Sequence, residues 1–262
     1  MLVHPNIDPV LIQIGPLAVQ WYGLMYLCGF AAAYLLANLR CQRLGWNSDD
    51  VSDLIFYCAV GVILGGRIGY MLLYQLSSFI SDPISIFKVW NGGMSFHGGL
   101  LGVAVASWLF ARKKSLTVLE VLDFAAPLTP LGLFFGRMGN FINQELWGKP
   151  TDLPWGMLFS NGGDLPRHPS MLYEAFLEGI VLFIIVWLYS AKTRYVGRVG
   201  GLFILGYGIF RFLVEFVREP DDHIMYLAFN WLTIGQVYCI PMILFGSYLL
   251  FRPTHRSQVS NK

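Results

Sequence analysis

Seven stretches of the chain are apolar enough to form bilayer-crossing helices, at about 19–38, 53–76, 94–111, 117–137, 171–190, 199–217 and 235–251. A crossing takes about 20 mostly apolar residues, and each stretch is bounded by charges or by Pro and Gly clusters. The fourth is the weakest, interrupted by Glu120, Asp123, Pro127 and Pro130. A kinked helix packed inside a bundle tolerates such breaks. The gaps between runs are short, with one exception. Residues 138–170 follow neither a helix nor a strand period, yet hold Phe141, Ile142, Leu146, Trp147, Trp155 and Met157. Long connections this rich in apolar residues fold rather than stay disordered, so a cap over one end of the bundle is expected. The pattern predicts an all-α polytopic membrane bundle of seven transmembrane helices, one domain over 1–262, with no internal repeat.

Composition agrees with the pattern. Of 262 residues, 55% are hydrophobic and 13% charged, against roughly a quarter charged in soluble domains. Aromatics reach 16%, which suits a protein held between two lipid–water interfaces. The net charge of +2 is too mild, and its cations too scattered, to predict a nucleic-acid partner. Cys28, Cys41, Cys58 and Cys239 show no metal or disulfide spacing. The start of the chain lacks a basic segment of the kind that precedes a cleaved signal peptide.

The positions of the cations give an orientation. With seven spans, one side holds Arg40, Arg43, Arg112, Lys113, Lys114, Lys192, Arg194, Arg198, Arg252, Arg256 and Lys262, and the other Lys88, Lys149, Arg167 and Arg218. Eleven against four places the N-terminus outside and the C-terminus in the cytoplasm. Arg67, Arg137 and Arg211 fall within spans.

Ionisable residues inside spans are costly and mark function by default. At about 1.5 Å of rise per residue, Tyr26, Arg67, His97, Arg137, Glu174, Arg211 and Glu215 all come out in the outer half of the membrane, beneath the cap. Each has a plainer reading. Arg211 and Glu215, four apart, could neutralise one another. Arg67 and Arg137 could reach headgroups by snorkelling, and His97 could bond a carbonyl. Glu120 and Asp123 read as structural, and the pairs Gly61/Gly65, Gly98/Gly102 and Gly132/Gly136 as close helix packing. A cluster of arginines with a histidine, carboxylates and the amides of Asn140 and Asn143 nevertheless remains. Arginine forks match phosphate oxygens and histidine moves protons near neutral pH. At that depth the fitting ligand is a phospholipid phosphate.

The run Gly136-Arg137-Met138-Gly139-Asn140-Phe141-Ile142-Asn143-Gln144-Glu145-Leu146-Trp147-Gly148 closely resembles the signature of bacterial prolipoprotein diacylglyceryl transferases, and Lys149 to Gly156 continues it. Gly92 to Gly99, His168-Pro169-Ser170 with Leu172-Tyr173-Glu174, and Tyr207-Gly208 leading to Arg211 and Glu215 follow in family order. Gln144 departs from the pattern, where many members carry Gly, and bears on loop flexibility.

The resemblance implies that the diacylglyceryl group of phosphatidylglycerol is moved to the lipobox cysteine of a prolipoprotein signal peptide, releasing glycerol phosphate. It implies no metal and no soluble cofactor. The expected partners are phosphatidylglycerol, prolipoprotein signal peptides and membrane lipids, with the chain acting as a monomer in the bacterial inner membrane. Carried over by motif, Arg137 binds the phosphatidylglycerol headgroup, with Asn140, Glu145 and Gly148 shaping that site and Tyr207 beside it; Arg67, outside the motifs, is expected in support. His97, Tyr26, Arg211 and Glu215 complete the reaction centre. His97 is the first choice for accepting the thiol proton, with Glu145 or Glu215 second. The rival class, a phospholipid transporter or flippase, predicts inverted repeats and matching broken helices, and the sequence has neither.

Overall fold

The computed structural model of the protein describes residues 2–15, 17–88, 92–219 and 232–253. Arg256 and Lys262, counted above on the cytoplasmic side, lie outside the described residues. Helices dominate: α1 (Trp21–Arg40), α2 (Ser48–Tyr74), α3 (Leu76–Ser81), α4 (Phe96–Lys113), α5 (Val118–Ala125), α6 (Thr129–Ile142), α7 (Ser170–Glu174), α8 (Leu182–Tyr189), α9 (Arg198–Val214) and α10 (Ile234–Phe251). Four short strands accompany them: β1 (Leu2–Val3), β2 (Val10–Ile14), β3 (Leu17–Gln20) and β4 (Met157–Leu158).

Four continuous helical stretches are long and apolar enough to cross a membrane: α1, α2, Ser170–Tyr189 and α10. The bent pair α5 and α6, 54° apart, makes a fifth if counted as one span. The break falls where Pro127 and Pro130 interrupt the fourth predicted run. α4 and α9 occupy the third and sixth predicted runs. The chain is thus a helical membrane protein whose helices follow the predicted apolar pattern.

The chain divides into two compact units, Leu36–Leu122 and Met1–Leu35 with Asp123–Lys262. In the first, α2 begins at a reciprocal cap between Asn47 and Asp50, which satisfies two otherwise unpaired N–H groups. It packs on α4 through glycines. A Cβ on Gly61 would stand 2.6 Å from the Gly102 carbonyl oxygen, and one on Gly69 would stand 2.7 Å from the Gly98 Cα. The predicted small-residue packing therefore operates there. It does not extend to Gly132 and Gly136, where an added Cβ meets nothing within 4 Å. Gly132 instead offers its backbone to Gly29, whose Cβ would lie 3.3 Å from the Gly132 Cα.

In the second unit, β2 and β3 form an antiparallel hairpin and β1 pairs in parallel with β4. That pairing anchors the chain start to the 138–170 segment, which folds around Met157, Phe159 and Met171 with Phe141, Trp147 and Leu172 packed on them. The Asp123 carboxylate accepts the N–H groups of Gly197 at 2.6 Å and Gly200 at 2.7 Å, tying α5 to the start of α9. Glu120 caps α5 through Thr117. Both acids are structural, as their sequence position suggested. α9 and α10 meet through Gly201, where a Cβ would stand 2.8 Å from the Leu249 Cβ.

Candidate active site

Glu174 closes α7 with its side chain fully buried. Three arginines converge on it. Arg137, from α6, places Nε 2.7 Å from Oε2. Arg211, near the end of α9, contacts Oε1 through Nη1. Arg218, just beyond α9, reaches the same oxygen at 3.0 Å. Arg211 also bonds Glu215 at 2.8 Å through Nη2, and the Glu215 carboxylate accepts Thr233 Oγ1–H at 3.0 Å. Arg211, Glu215 and Arg218 recur at the four- and three-residue spacings that share a helix face. They stay on one side because the turns continue past α9, with Arg218 N–H donating to the Val214 carbonyl at 3.1 Å.

Arg137 continues the network outward. Its Nη1 donates to Asn140 Oδ1 at 3.4 Å, and Asn140 Nδ2 donates to Glu145 Oε2 at 3.2 Å. Asn143 Nδ2 supports the other Glu145 oxygen at 3.2 Å. The loop carrying Glu145 is held by Gln144 and Leu146, both with positive φ, at 57° and 60°. The left-handed region explains why glycine suits position 144. Gln144 offsets that cost by bonding: its Oε1 accepts Ser160 N–H at 2.8 Å, and its Nε2 donates to Asn6 Oδ1 at 3.2 Å.

Gly148 is buried and donates its N–H to the His168 carbonyl at 2.7 Å, with a bridge to Arg218. A Cβ there would meet the Val217 carbonyl and stand 2.8 Å from the His168 Cβ. Its lack of a side chain thus lets the Val217–Arg218 backbone come close and sets Arg218 on Glu174. Tyr26 bonds Tyr22 through their hydroxyls at 3.4 Å, and the Tyr22 ring fills the space at Gly139, where a Cβ would stand 2.8 Å away. Tyr207 lies one turn before Arg211 and stacks on Phe203, with centroids 6.2 Å apart.

Arg67 and His97 belong to the other unit. Arg67 is buried there and gathers backbone carbonyls: Nε donates to Ile86 at 3.0 Å, Nη2 to Ser85 at 2.7 Å and Lys88 at 3.0 Å, and Nη1 to Gly93 at 3.2 Å and to Gly92. All five guanidinium N–H groups are engaged, so Arg67 acts by folding the segment after α3. His97 sits in the first turn of α4, after the Ser95 cap that accepts Gly98 N–H at 3.2 Å, and its side chain is exposed.

The structure adds two members that the sequence reading did not single out as site residues, Arg218 and Glu178. Arg218 was assigned to a loop, although its spacing from Arg211 and Glu215 was visible. Glu178 lies midway along an apolar run, a costly position that marks it. Glu174 stands out in the sequence by its depth and by its place in the Leu172-Tyr173-Glu174 motif; its burial beneath three arginines emerges from the fold.

The chain is a helical membrane protein with three arginine forks gathered on one buried carboxylate. The family model for prolipoprotein diacylglyceryl transferase matches residues 9–252. The chain belongs to that family. Phosphatidylglycerol–prolipoprotein diacylglyceryl transferases similar to it include that of Legionella pneumophila strain Lens, 58% identical over 251 residues, covering 95% of this chain and 98% of the relative. Another is that of Nitratidesulfovibrio vulgaris strain DP4, 58% identical over 252 residues and covering 95% and 96%. That of Pseudomonas aeruginosa strain LESB58 is 57% identical over 252 residues, covering 95% of each.

Proposed function

We propose that the protein transfers the diacylglyceryl group of phosphatidylglycerol to the lipobox cysteine of prolipoproteins, the first step of bacterial lipoprotein maturation. The carrying observation is the convergence of Arg137, Arg211 and Arg218 on Glu174. The thiol must become a thiolate to attack carbon. Its sulfur bonds to the glyceryl carbon, the bond from that carbon to the phosphate oxygen breaks, and glycerol phosphate leaves. The growing charge on the leaving phosphate needs fixed cations, which Arg137 and Arg211 supply with Arg218 beside them. Glu174 and Glu215 hold these arginines in place. Asn140, Glu145 and Gly148 shape the headgroup side, with Tyr207 and Tyr26 beside it. In this reading His97 accepts the thiol proton, and Arg67 folds the segment after α3 within its own unit.

In this reading seven helices cross the inner membrane with the N-terminus outside. The 138–170 segment caps the outer end, so the reaction opens to the outer leaflet. A flippase is not favoured, since phosphate-binding arginines locked on a buried carboxylate suit held chemistry better than passage. Arg137→Ala and Arg211→Ala test the clamp. Each is expected to lower transfer at least about a hundredfold, as loss of a transition-state donor does. Near wild-type rates in either variant would refute it. A His97→Gln enzyme with an unchanged pH–rate profile would remove the histidine as base.

A further inference from the structure

Glu178 has no task in the transfer as derived, yet its placement is costly. Its side chain is 0% exposed, and Arg137 Nη2 stands 3.9 Å from its Oε2. Among the described residues neither of its carboxylate oxygens has a hydrogen-bond partner. Removing a carboxylate from water with so loose a pairing costs several kcal/mol. Leucine would fill the space without that cost, so packing alone does not account for the residue.

The backbone ties Glu178 to the arginine clamp. Residues Ala175–Val181 form a π-helical segment between α7 and α8, and such wide turns are frequent at functional sites. Within it Gly179 presses on α6, where its Cβ would stand 2.6 Å from the Phe134 Cβ. Phe134 and Arg137 are three apart on one helix face. The close approach at Gly179 therefore fixes the separation of Glu178 and Arg137.

The guanidinium of Arg137 is held along one edge. Glu174 takes Nε at 2.7 Å, and Glu178 stands beside Nη2 on the same edge. The end between Nη1 and Nη2, with Asn140 Oδ1 at 3.4 Å from Nη1, remains to be presented to an anion. With Nε on Glu174 and a long bond from Nη1 to Asn140, the charge of Glu178 beside Nη2 biases the fork toward this one orientation.

We propose that Glu178 is a positioning residue, fixing the rotation of the Arg137 guanidinium so that its Nη1/Nη2 edge meets the phosphate of phosphatidylglycerol. The inference rests on the function proposed above. It is tested with the full chain in detergent micelles, comparing wild type, Glu178→Gln and Glu178→Leu. The readouts are kcat and KM for phosphatidylglycerol with a synthetic lipobox peptide, equilibrium phosphatidylglycerol binding, and Tm. KM and Kd should rise about five- to tenfold in both variants, and kcat should fall about as much, because the same Arg137 edge also meets the charge growing on the leaving phosphate. The Leu variant should also melt above wild type, since an apolar replacement relieves the buried charge.

A changed Tm with unchanged KM and Kd would mean a structural role and overturn the proposal. A fall in kcat at constant KM, with a flattened pH–rate profile, would make Glu178 a proton acceptor and overturn it equally. Should the Leu variant fail to fold, the near-isosteric Gln variant still decides. Transfer by wild type with unaltered variants would sink this inference alone, whereas no thioether from wild type would sink the functional reading.

Discussion

The guanidinium of Arg137 meets the carboxylate of Glu174 at 2.7 Å, joining α6 to α7 across the core of the candidate site. Because Arg211 and Arg218 bond the same carboxylate, Glu174 is the common support of three cations. Removing it leaves those charges facing each other. Glu174→Ala should cost about 3–5 kcal/mol, as for other broken buried pairs, and abolish transfer. Glu174→Gln keeps the shape and should cost less. Thermal melts of the two variants in detergent check the order; an Ala variant as stable as wild type would contradict it.

Gly148→Ala should act at a distance. The added methyl meets the Val217 carbonyl and must push the Val217–Arg218 backbone away, carrying Arg218 off Glu174. A displacement of about 1 Å can cost a hundredfold in rate, so kcat/KM should fall about that much. Steady-state kinetics on the purified variant give the answer, and an unaffected rate would detach Gly148 from the arginine cluster.

The helices were legible because seven apolar runs are a strong one-dimensional signal, and even the α5–α6 bend follows from Pro127 and Pro130. The hairpin β2–β3 escaped notice because two short strands leave only a weak alternating pattern. Arg137, Arg211 and Glu215 stood out as charges in apolar surroundings. Arg67 stood out for the same reason, but its carbonyl partners after α3 depend on tertiary folding. Arg218 sits one residue past the sixth apolar run, 199–217, and so reads as a loop cation, although its spacing from Arg211 and Glu215 shares their helix face.

Position 144 offers a sharper comparison. Gln144 holds a left-handed backbone, which costs a non-glycine residue about 1–2 kcal/mol, and offsets it through Ser160 and Asn6. Gln144→Ala loses the bonds and keeps the strain; Gln144→Gly loses both. Tm should therefore fall in the order wild type, Gly, Ala, with the two variants about 1 kcal/mol apart. An alanine variant more stable than the glycine variant would show that the loop relaxes out of the left-handed region.

Stability should also depend on two histidines outside the spans. His4 is 1% exposed and accepts Asn6 N–H at Nδ1, 3.1 Å away. Burial holds its pKa below the ordinary 6.5. His168 is lowered in the same direction, by burial and then by Lys149. The unfolded chain then binds more protons than the folded one, so stability rises with pH. The contribution is present above about pH 6.5 and is lost as pH falls below it. Tm measured from pH 7.5 to 5 should drop more steeply in wild type than in His4→Gln. Parallel curves would remove His4 from the account.

The central claim is that this cluster carries out diacylglyceryl transfer with release of the phosphate. The most direct measurement incubates the purified protein with phosphatidylglycerol and a lipobox peptide. Mass spectrometry then quantifies the diacylglyceryl thioether on the peptide cysteine alongside free glycerol phosphate. The account predicts both products in equal amounts from wild type and neither from Arg137→Ala. Bound phosphatidylglycerol with no thioether formed by wild type would contradict it.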